Sequence, residues 1–244
     1  MSSLCRALCC AVFSVLALTG VARGTVDEQR RARAREAAFA FILSPDLASL
    51  YQALPDSTAR ARWEERYWRM VDPLPSSPLN PYREEFEQRF AYAWEHFSCL
   101  AGPSYLDDRA KYYVRYGPPD DFVEITGSGR NCLDNLTWAY FGLNLFVDFV
   151  RRIGFGYQEV NDLSQAVTGA PLDEKVRIAS QLYAERESLH QRYGVFRNAL
   201  QSTDAYFSLA SNMVSEKSQA LGNAPPHRFT FAYTQQPLNA QVTS

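Results

Sequence analysis

The chain has 244 residues, of which 46% are hydrophobic and 21% charged, and its formal net charge is −2. This balance is typical of a globular protein with a sizeable core, and it excludes collagen-like, mucin-like and wholly disordered chains. Aromatic residues make up 14% of the chain against only 3 histidines, which disfavours a histidine-rich metal site.

Residues 1–24 have the pattern of a secretory signal peptide. Arg6 precedes an apolar run over 7–18, and small residues at Ala22 and Gly24 stand where a signal peptidase cuts. The run is shorter than the roughly 20 residues that a spanning helix needs, so the sequence favours export over a membrane anchor. We expect an exported protein, periplasmic or secreted, with no transmembrane segment after cleavage.

Cleavage changes both the charge and the cysteine content of the chain. It removes two arginines and no acidic residue, which leaves 23 basic against 27 acidic residues, a net charge of −4. That charge disfavours a nucleic-acid partner. Cys99 and Cys132 remain in an oxidising compartment, where a disulfide between them would contribute roughly 3 to 4 kcal/mol. Two buried, unpaired thiols are the alternative.

Two amphipathic helices are predicted in the N-terminal helical segment, which we assign to residues 25–66. The first covers 25–43 and ends before Pro45, and its arginines are interpreted as a solvated face because acidic residues dilute them. The second begins near Asp56 and Ser57, both good N-caps, and continues until a proline-rich break over 72–78.

A third predicted helix carries a stripe of aromatic side chains. Asn80 followed by Pro81 is a cap and first-turn proline in the favoured order. The residues that repeat at three- and four-residue steps are Tyr82, Phe86, Phe90, Ala93 or Trp94, and Phe97. We interpret this stripe as the buried side of a helix packed on a sheet.

Strand propensity appears next, and it predicts a small antiparallel sheet backed by the aromatic helix, an α+β fold with helical flanks. The candidate strands are 111–116, 122–125, 136–141, 143–150 and 155–160. Residues 164–222 form a C-terminal helical region, with a bend expected near Gly194. The tail 223–244 contains one further candidate strand, 225–233, which either joins the sheet or opens a domain missing from this chain.

Several motifs occur in a characteristic order between residues 67 and 163. They are Tyr67-Trp68-Arg69, Asp72-Pro73, Arg89, Tyr92-Ala93, Asp108-Arg109, the block Arg115-Tyr116-Gly117-Pro118-Pro119-Asp120, Trp138-Ala139-Tyr140 and Gly154-Phe155-Gly156-Tyr157. On these residues the chain resembles the GWxTD domain of exported bacterial proteins. In the stretch matching the family's name motif, the glycine (Gly102) and Asp108-Arg109 are kept, but the tryptophan is replaced, with Tyr105 or Leu106 nearest to it. The resemblance implies an α+β domain and no established activity.

Polar residues bracket the predicted strand 111–116 and form the candidate functional cluster. Its members are Tyr105, Asp107, Asp108, Arg109, Arg115, Asp120 and Asp121. Two of these carboxylates suit acid and base roles, and three suit Ca²⁺. Turn capping and a buried arginine–aspartate pair are favoured instead, and no loop has the calcium spacing. We expect no metal and no other cofactor.

No catalytic motif completes this picture. His96, His190 and His227 lie on separate predicted elements and have no partner at ligand or triad spacing. We therefore predict a non-enzymatic binding or scaffold module for an unknown protein or glycan of the cell envelope. The alternative is a hydrolase-like enzyme using the cluster around 107–121. Assembly through helices in 172–221 is a third hypothesis, and the oligomeric state stays open.

Overall fold

The computed structural model describes residues 26–126, 131–200 and 202–229. The predicted signal peptide lies outside this range. The helices are α1 (26–41), α2 (Pro45–Gln52), α3 (Ser57–Met70), α4 (Pro81–Phe97), α5 (Asp108–Tyr116), α6 (Leu172–Ala184), α7 (Arg192–Ala199) and α8 (Thr203–Asn223). The strands are β1 (Asp121–Ile125), β2 (Asn135–Tyr140), β3 (Leu145–Arg152) and β4 (Gly156–Val160). The predicted α+β class is confirmed.

The predicted helix starts are confirmed by their caps. The Asp56 carboxylate accepts a hydrogen bond from Ala59 N at 2.7 Å, and Asn80 Oδ1 accepts from Tyr82 N at 3.0 Å. Helix α2 was not predicted, because Pro45 was interpreted only as the end of α1. It is also the first residue of α2, where a missing N–H costs nothing.

An arginine of α1 shows that the interpretation of a purely solvated face is wrong. Arg35 donates to Glu64 of α3 at 2.6 Å and to Glu87 of α4 at 2.5 Å. Trp68 Nε1 also donates to Glu64, at 3.1 Å. These polar contacts hold α1, α3 and α4 together, and all three helices share one hydrophobic core with α5 and the sheet.

The strand predicted over 111–116 is wrong, since these residues form most of α5. Its buried side chains do alternate: Ala110, Tyr112, Val114 and Tyr116. At 3.6 residues per turn, Ala110 and Val114 lie on one helix face, and Tyr112 and Tyr116 lie on the opposite face. Helix α5 packs against both α4 and β4, so it is buried on two sides and imitates the period of a strand.

The four strands predicted between 122 and 160 are confirmed, and they form an antiparallel sheet in the order β1-β2-β3-β4. One face of the central strands, including Trp138 and Phe149, belongs to the core shared with α1–α5. The Trp138 ring lies 5.7 Å from Phe97, at the end of the aromatic stripe of α4. The other face, including Ala139 and Phe146, packs with α6 and α7. The sheet is thus the middle of three layers.

The C-terminal region is helical as predicted, but the expected bend at Gly194 is wrong. The helices separate at 185–191, α7 ends at Ala199, and Gly194 lies inside α7. A Cβ at Gly194 would make an ordinary contact with Glu187 at 3.4 Å.

The described part of the tail, 224–229, forms no strand and instead lies against the helices. Arg228 N donates to Arg115 O at 2.7 Å, and the Phe229 ring lies 5.7 Å from Tyr82. Residues 230–233 of the predicted strand lie outside the described residues. Within the described residues, no helix is long and apolar enough to cross a bilayer.

Candidate functional site

Helix α5 divides the candidate cluster into two groups. Its nine residues span about 13 Å, so its two ends present separate surfaces. The first group precedes or begins α5 and comprises Tyr105, Asp107, Asp108 and Arg109. The second lies at or beyond its C-terminal end and comprises Arg115, Asp120 and Asp121.

Asp107 is the centre of the first group and joins α5 to β4. Its side chain is almost fully buried, with the residue 4% exposed. The carboxylate accepts from Arg109 N and Tyr157 N, both at 3.1 Å, and from Arg109 Nη2 at 2.7 Å. Burial raises the pKa of the Asp107 carboxyl, and the donors on Arg109 and Tyr157 oppose that rise. The buried arginine–aspartate pair favoured from the sequence is present, with Asp107 as the partner of Arg109, and it forms a structural junction.

A glycine makes this junction sterically feasible. Gly156 has a φ of 73°, and a Cβ there would lie 2.6 Å from Asp107 Oδ2. Any side chain would collide with the buried carboxylate and would strain the backbone as well. On the other side of the pair, the Arg109 guanidinium lies 4.5 Å from the Phe97 ring centre and 4.3 Å from that of Tyr157.

Asp108 takes part in a second connection to β4, which sequence reasoning missed. Its carboxylate accepts from Glu159 N at 2.7 Å. The Glu159 carboxylate in turn accepts from Tyr112 OH at 2.7 Å and from Lys217 Nζ at 2.5 Å. Burial disfavours the charged form of Glu159, but Lys217 and Lys111 hold the pKa of this carboxyl below its usual range. Fifty-eight residues separate Glu159 from Lys217, so no local motif could reveal the contact.

The second group holds loops and the tail in place. Asp120 accepts from Phe141 N, and Asp121 accepts from Phe122 N, each at 2.7 Å. Arg115 Nε donates to the carbonyl of Pro226 at 2.8 Å.

A cleft of about 540 Å³, which we call the α5 cleft, adjoins the first group. Its lining includes apolar side chains of Phe41, Leu106 and Phe155, and polar side chains of Gln52 and Lys111. Asp107 and Asp108 also reach its wall. The cleft therefore combines apolar surface with a few polar groups, as small-molecule and peptide sites do.

Tyr105 belongs to the stretch with the altered motif and to the candidate functional cluster. It does not line the α5 cleft. It has a φ of 54°, an uncommon conformation for a tyrosine. The guanidinium of Arg30 lies 4.8 Å from the centre of its ring. Tyr105 thus connects its loop to α1.

The two cysteines of the predicted disulfide are unpaired in this structure. Both line a second cleft of about 560 Å³, which we call the thiol cleft. The Cys99 thiol donates to Ala101 O at 2.8 Å, and burial raises its pKa. Both thiols are free, as in the alternative, but only Cys99 is buried, and both lie at one surface feature.

A buried polar network on the opposite face of the sheet was also missed. Arg186 is fully buried and donates to Thr137 Oγ1 and Asn135 Oδ1, each at 2.5 Å. Asp148 accepts from Thr137 Oγ1 at 2.5 Å and from Tyr193 OH at 3.1 Å. The signal in the sequence that could have revealed this network is Asp148, an aspartate within the apolar stretch of β3. It joins the sheet to the C-terminal helices and is closed to solvent.

Among the residues described by the structure, no group of three or more His, Cys, Asp or Glu side chains is placed to hold a metal ion. Comparison of the chain with protein-family models, curated proteins and solved structures finds no match. The function must therefore be argued from the geometry of the site itself.

Proposed function

We propose that this chain is an exported, non-enzymatic binding or scaffold module that receives a partner in the α5 cleft. The observation that carries the proposal is that the carboxylates beside the cleft accept hydrogen bonds from groups within the protein. Asp107 accepts from four donor atoms of Arg109 and Tyr157, and Asp108 accepts from the backbone of β4. These carboxylates support the walls of the cleft.

The chemistry of the cleft favours a protein partner over a glycan. A glycan needs many directed hydrogen bonds, whereas Phe41, Leu106 and Phe155 offer apolar contact. Asp108 already accepts a hydrogen bond from Glu159 N, and Lys111 already forms an ion pair with the Glu159 carboxylate. An apolar side chain of a partner protein, inserted between Phe41 and Phe155, is the occupant that the cleft suits best.

The hydrolase-like alternative requires an acid and a base that share a pocket with substrate. Asp107 and Asp108 do share the α5 cleft, but both accept hydrogen bonds from groups within the protein. Asp120 and Asp121 lie beyond the other end of α5, and each accepts from a backbone N–H. This arrangement suits structural roles, so the binding module is the better supported function.

The resemblance to the GWxTD domain over 67–163 remains part of this proposal. Two of its motifs, Asp108-Arg109 and Gly156-Tyr157, meet at the Asp107 junction. Their meeting supports the idea that these motifs maintain one local architecture around the cleft.

Site-specific photo-crosslinking in cells tests the proposal. A photoreactive phenylalanine analogue replaces Gln52, which lines the α5 cleft, or Gln88, an exposed glutamine on α4 that serves as the matched control. We expect a protein adduct from position 52 that is absent from position 88 and is lost when Ala101→Trp fills the cleft. Equal adducts at both positions, or none at position 52, would contradict the proposal. Mass spectrometry of the N-terminus of the purified chain tests export.

A further inference from the structure

A second surface of the molecule exposes large apolar side chains on two neighbouring loop tips. Leu100 is 80% exposed, Ile153 at the turn between β3 and β4 is 101% exposed, and Phe155 is 44% exposed. Leu100 and Ile153 both line the thiol cleft, and a hydrogen bond of 2.9 Å from Ala101 N to Gly154 O joins the two tips. We call the side chains of Leu100, Ile153 and Phe155 the apolar crest.

Part of the backbone beneath the crest is paired within the protein. Besides the bond between Ala101 and Gly154, Phe155 N donates to Arg152 O at 3.1 Å. Burying a paired backbone in an apolar medium avoids the cost of desolvating free N–H and C=O groups. This pairing lowers the cost of moving the crest from water into an apolar medium. Its apolar side chains supply the driving force for that transfer.

Basic residues flank the crest directly. Arg151 and Arg152 precede Ile153 at the end of β3, and Arg151 pairs with Asp134 at 3.2 Å. One acidic partner against two arginines leaves a local positive charge, although the chain as a whole is acidic. A positive charge beside an apolar tip suits the headgroup layer of an anionic bilayer.

The N-terminal end of α1 lies on the same side of the molecule as the crest loop. Arg30, in the second turn of α1, contacts the ring of Tyr105 in the loop that also carries Leu100. The described chain therefore begins near the loop that carries part of the crest.

From these observations we infer that the apolar crest inserts into the surface of an anionic phospholipid bilayer. A protein partner is the less suitable occupant, since the crest offers three side chains on projecting tips. A stable protein interface buries about 800 Å² on each partner. A fluid bilayer surface adapts to a projecting tip without a complementary pocket. The crest shares Phe155 with the α5 cleft, but Leu100 and Ile153, the two residues tested below, do not line that cleft.

Vesicle co-sedimentation of the purified full chain tests the inference. The vesicles contain equal parts of phosphatidylglycerol and phosphatidylcholine, or phosphatidylcholine alone. The double variant Leu100→Ser with Ile153→Ser should bind the anionic vesicles at least about tenfold more weakly than the original chain, because two large aliphatic side chains no longer enter the bilayer. Met70→Ser with Leu79→Ser is the matched control, since it removes two exposed apolar residues elsewhere. All variants share one N-terminus, so differences between them report the crest alone.

The arginines are tested separately. Arg151→Ser with Arg152→Ser should reduce the preference for phosphatidylglycerol over phosphatidylcholine several-fold, and added salt should abolish the difference. Unchanged vesicle binding of the crest variant, or an equal loss in the Met70 and Leu79 control, overturns the inference. So does a crest variant that loses a co-purifying protein while it still binds vesicles. The photo-crosslink from position 52 is measured in the same variants. Its absence would count against the α5 cleft proposal, whereas vesicle binding tests the crest.

Discussion

The stability of the Asp107 junction can be predicted in some detail. Asp107→Ala removes the acceptor for Arg109 N, for the Arg109 guanidinium and for Tyr157 N. Breaking a buried ion pair by removing one partner costs about 3 to 5 kcal/mol, and losing an N-cap costs about 1 kcal/mol. These contributions overlap at Arg109, so we expect the free energy of unfolding to fall by about 4 kcal/mol.

Urea unfolding at neutral pH, followed by tryptophan fluorescence and circular dichroism, measures this loss. Asp108→Ala is the control, because it removes an exposed carboxylate with one hydrogen bond to Glu159 N, and should cost about 1 kcal/mol. If Asp107→Ala lowered the free energy of unfolding by no more than Asp108→Ala, the structural role assigned to Asp107 would be refuted.

Three further predictions concern other parts of the fold. Gly156→Ala should destabilise the protein more than Gly102→Ala in urea unfolding, because both have positive φ but only the first places a Cβ against the Asp107 junction. Arg186→Met should cost about 3 to 5 kcal/mol, since it leaves the buried Asp148 without its cation, and adding Asp148→Asn should recover part of that loss in a double-mutant cycle. Burial lowers the pKa of His227 to about 4, so the unfolded chain binds this proton at higher pH than the folded chain. The original chain should therefore lose about 2 kcal/mol of stability relative to His227→Phe as the pH falls from 6.5 to 4.

Each of these predictions has an outcome that contradicts it. Equal costs for the two glycine variants would show that the close approach at Gly156 is relieved by movement. Additive losses in the cycle would mean that Arg186 and Asp148 do not interact energetically. A pH-independent difference for His227→Phe would mean that His227 is equally accessible to protons when folded.

Local signals in the sequence were sufficient where structure is decided by a few neighbouring residues. Asp56, Asn80 and Pro81 identified the starts of α3 and α4, because capping and proline geometry involve only the next turn. The four strands of the antiparallel sheet were also predicted. The strand predicted over 111–116 was an error, since these residues form a helix. That error arose because a helix covered on two sides repeats its buried positions as a strand does.

The candidate site shows the same division. The sequence pointed to an arginine–aspartate pair, and the structure contains it as Asp107 and Arg109. The partners that complete the site, Tyr157 and Glu159 of β4, could not be found, because the contact depends on how α5 packs against the sheet. The signal peptide and the resemblance over 67–163 remain predictions.

Composition and local pattern by themselves determined the α+β class, most helix and strand positions, and the expectation of export. They did so because hydrophobic periodicity, caps and turns act over a few residues. Only the tertiary structure decided that the candidate cluster splits across α5 and that Leu100 and Ile153 share one exposed crest. Both facts depend on contacts between distant segments, whose geometry is set by packing against the sheet.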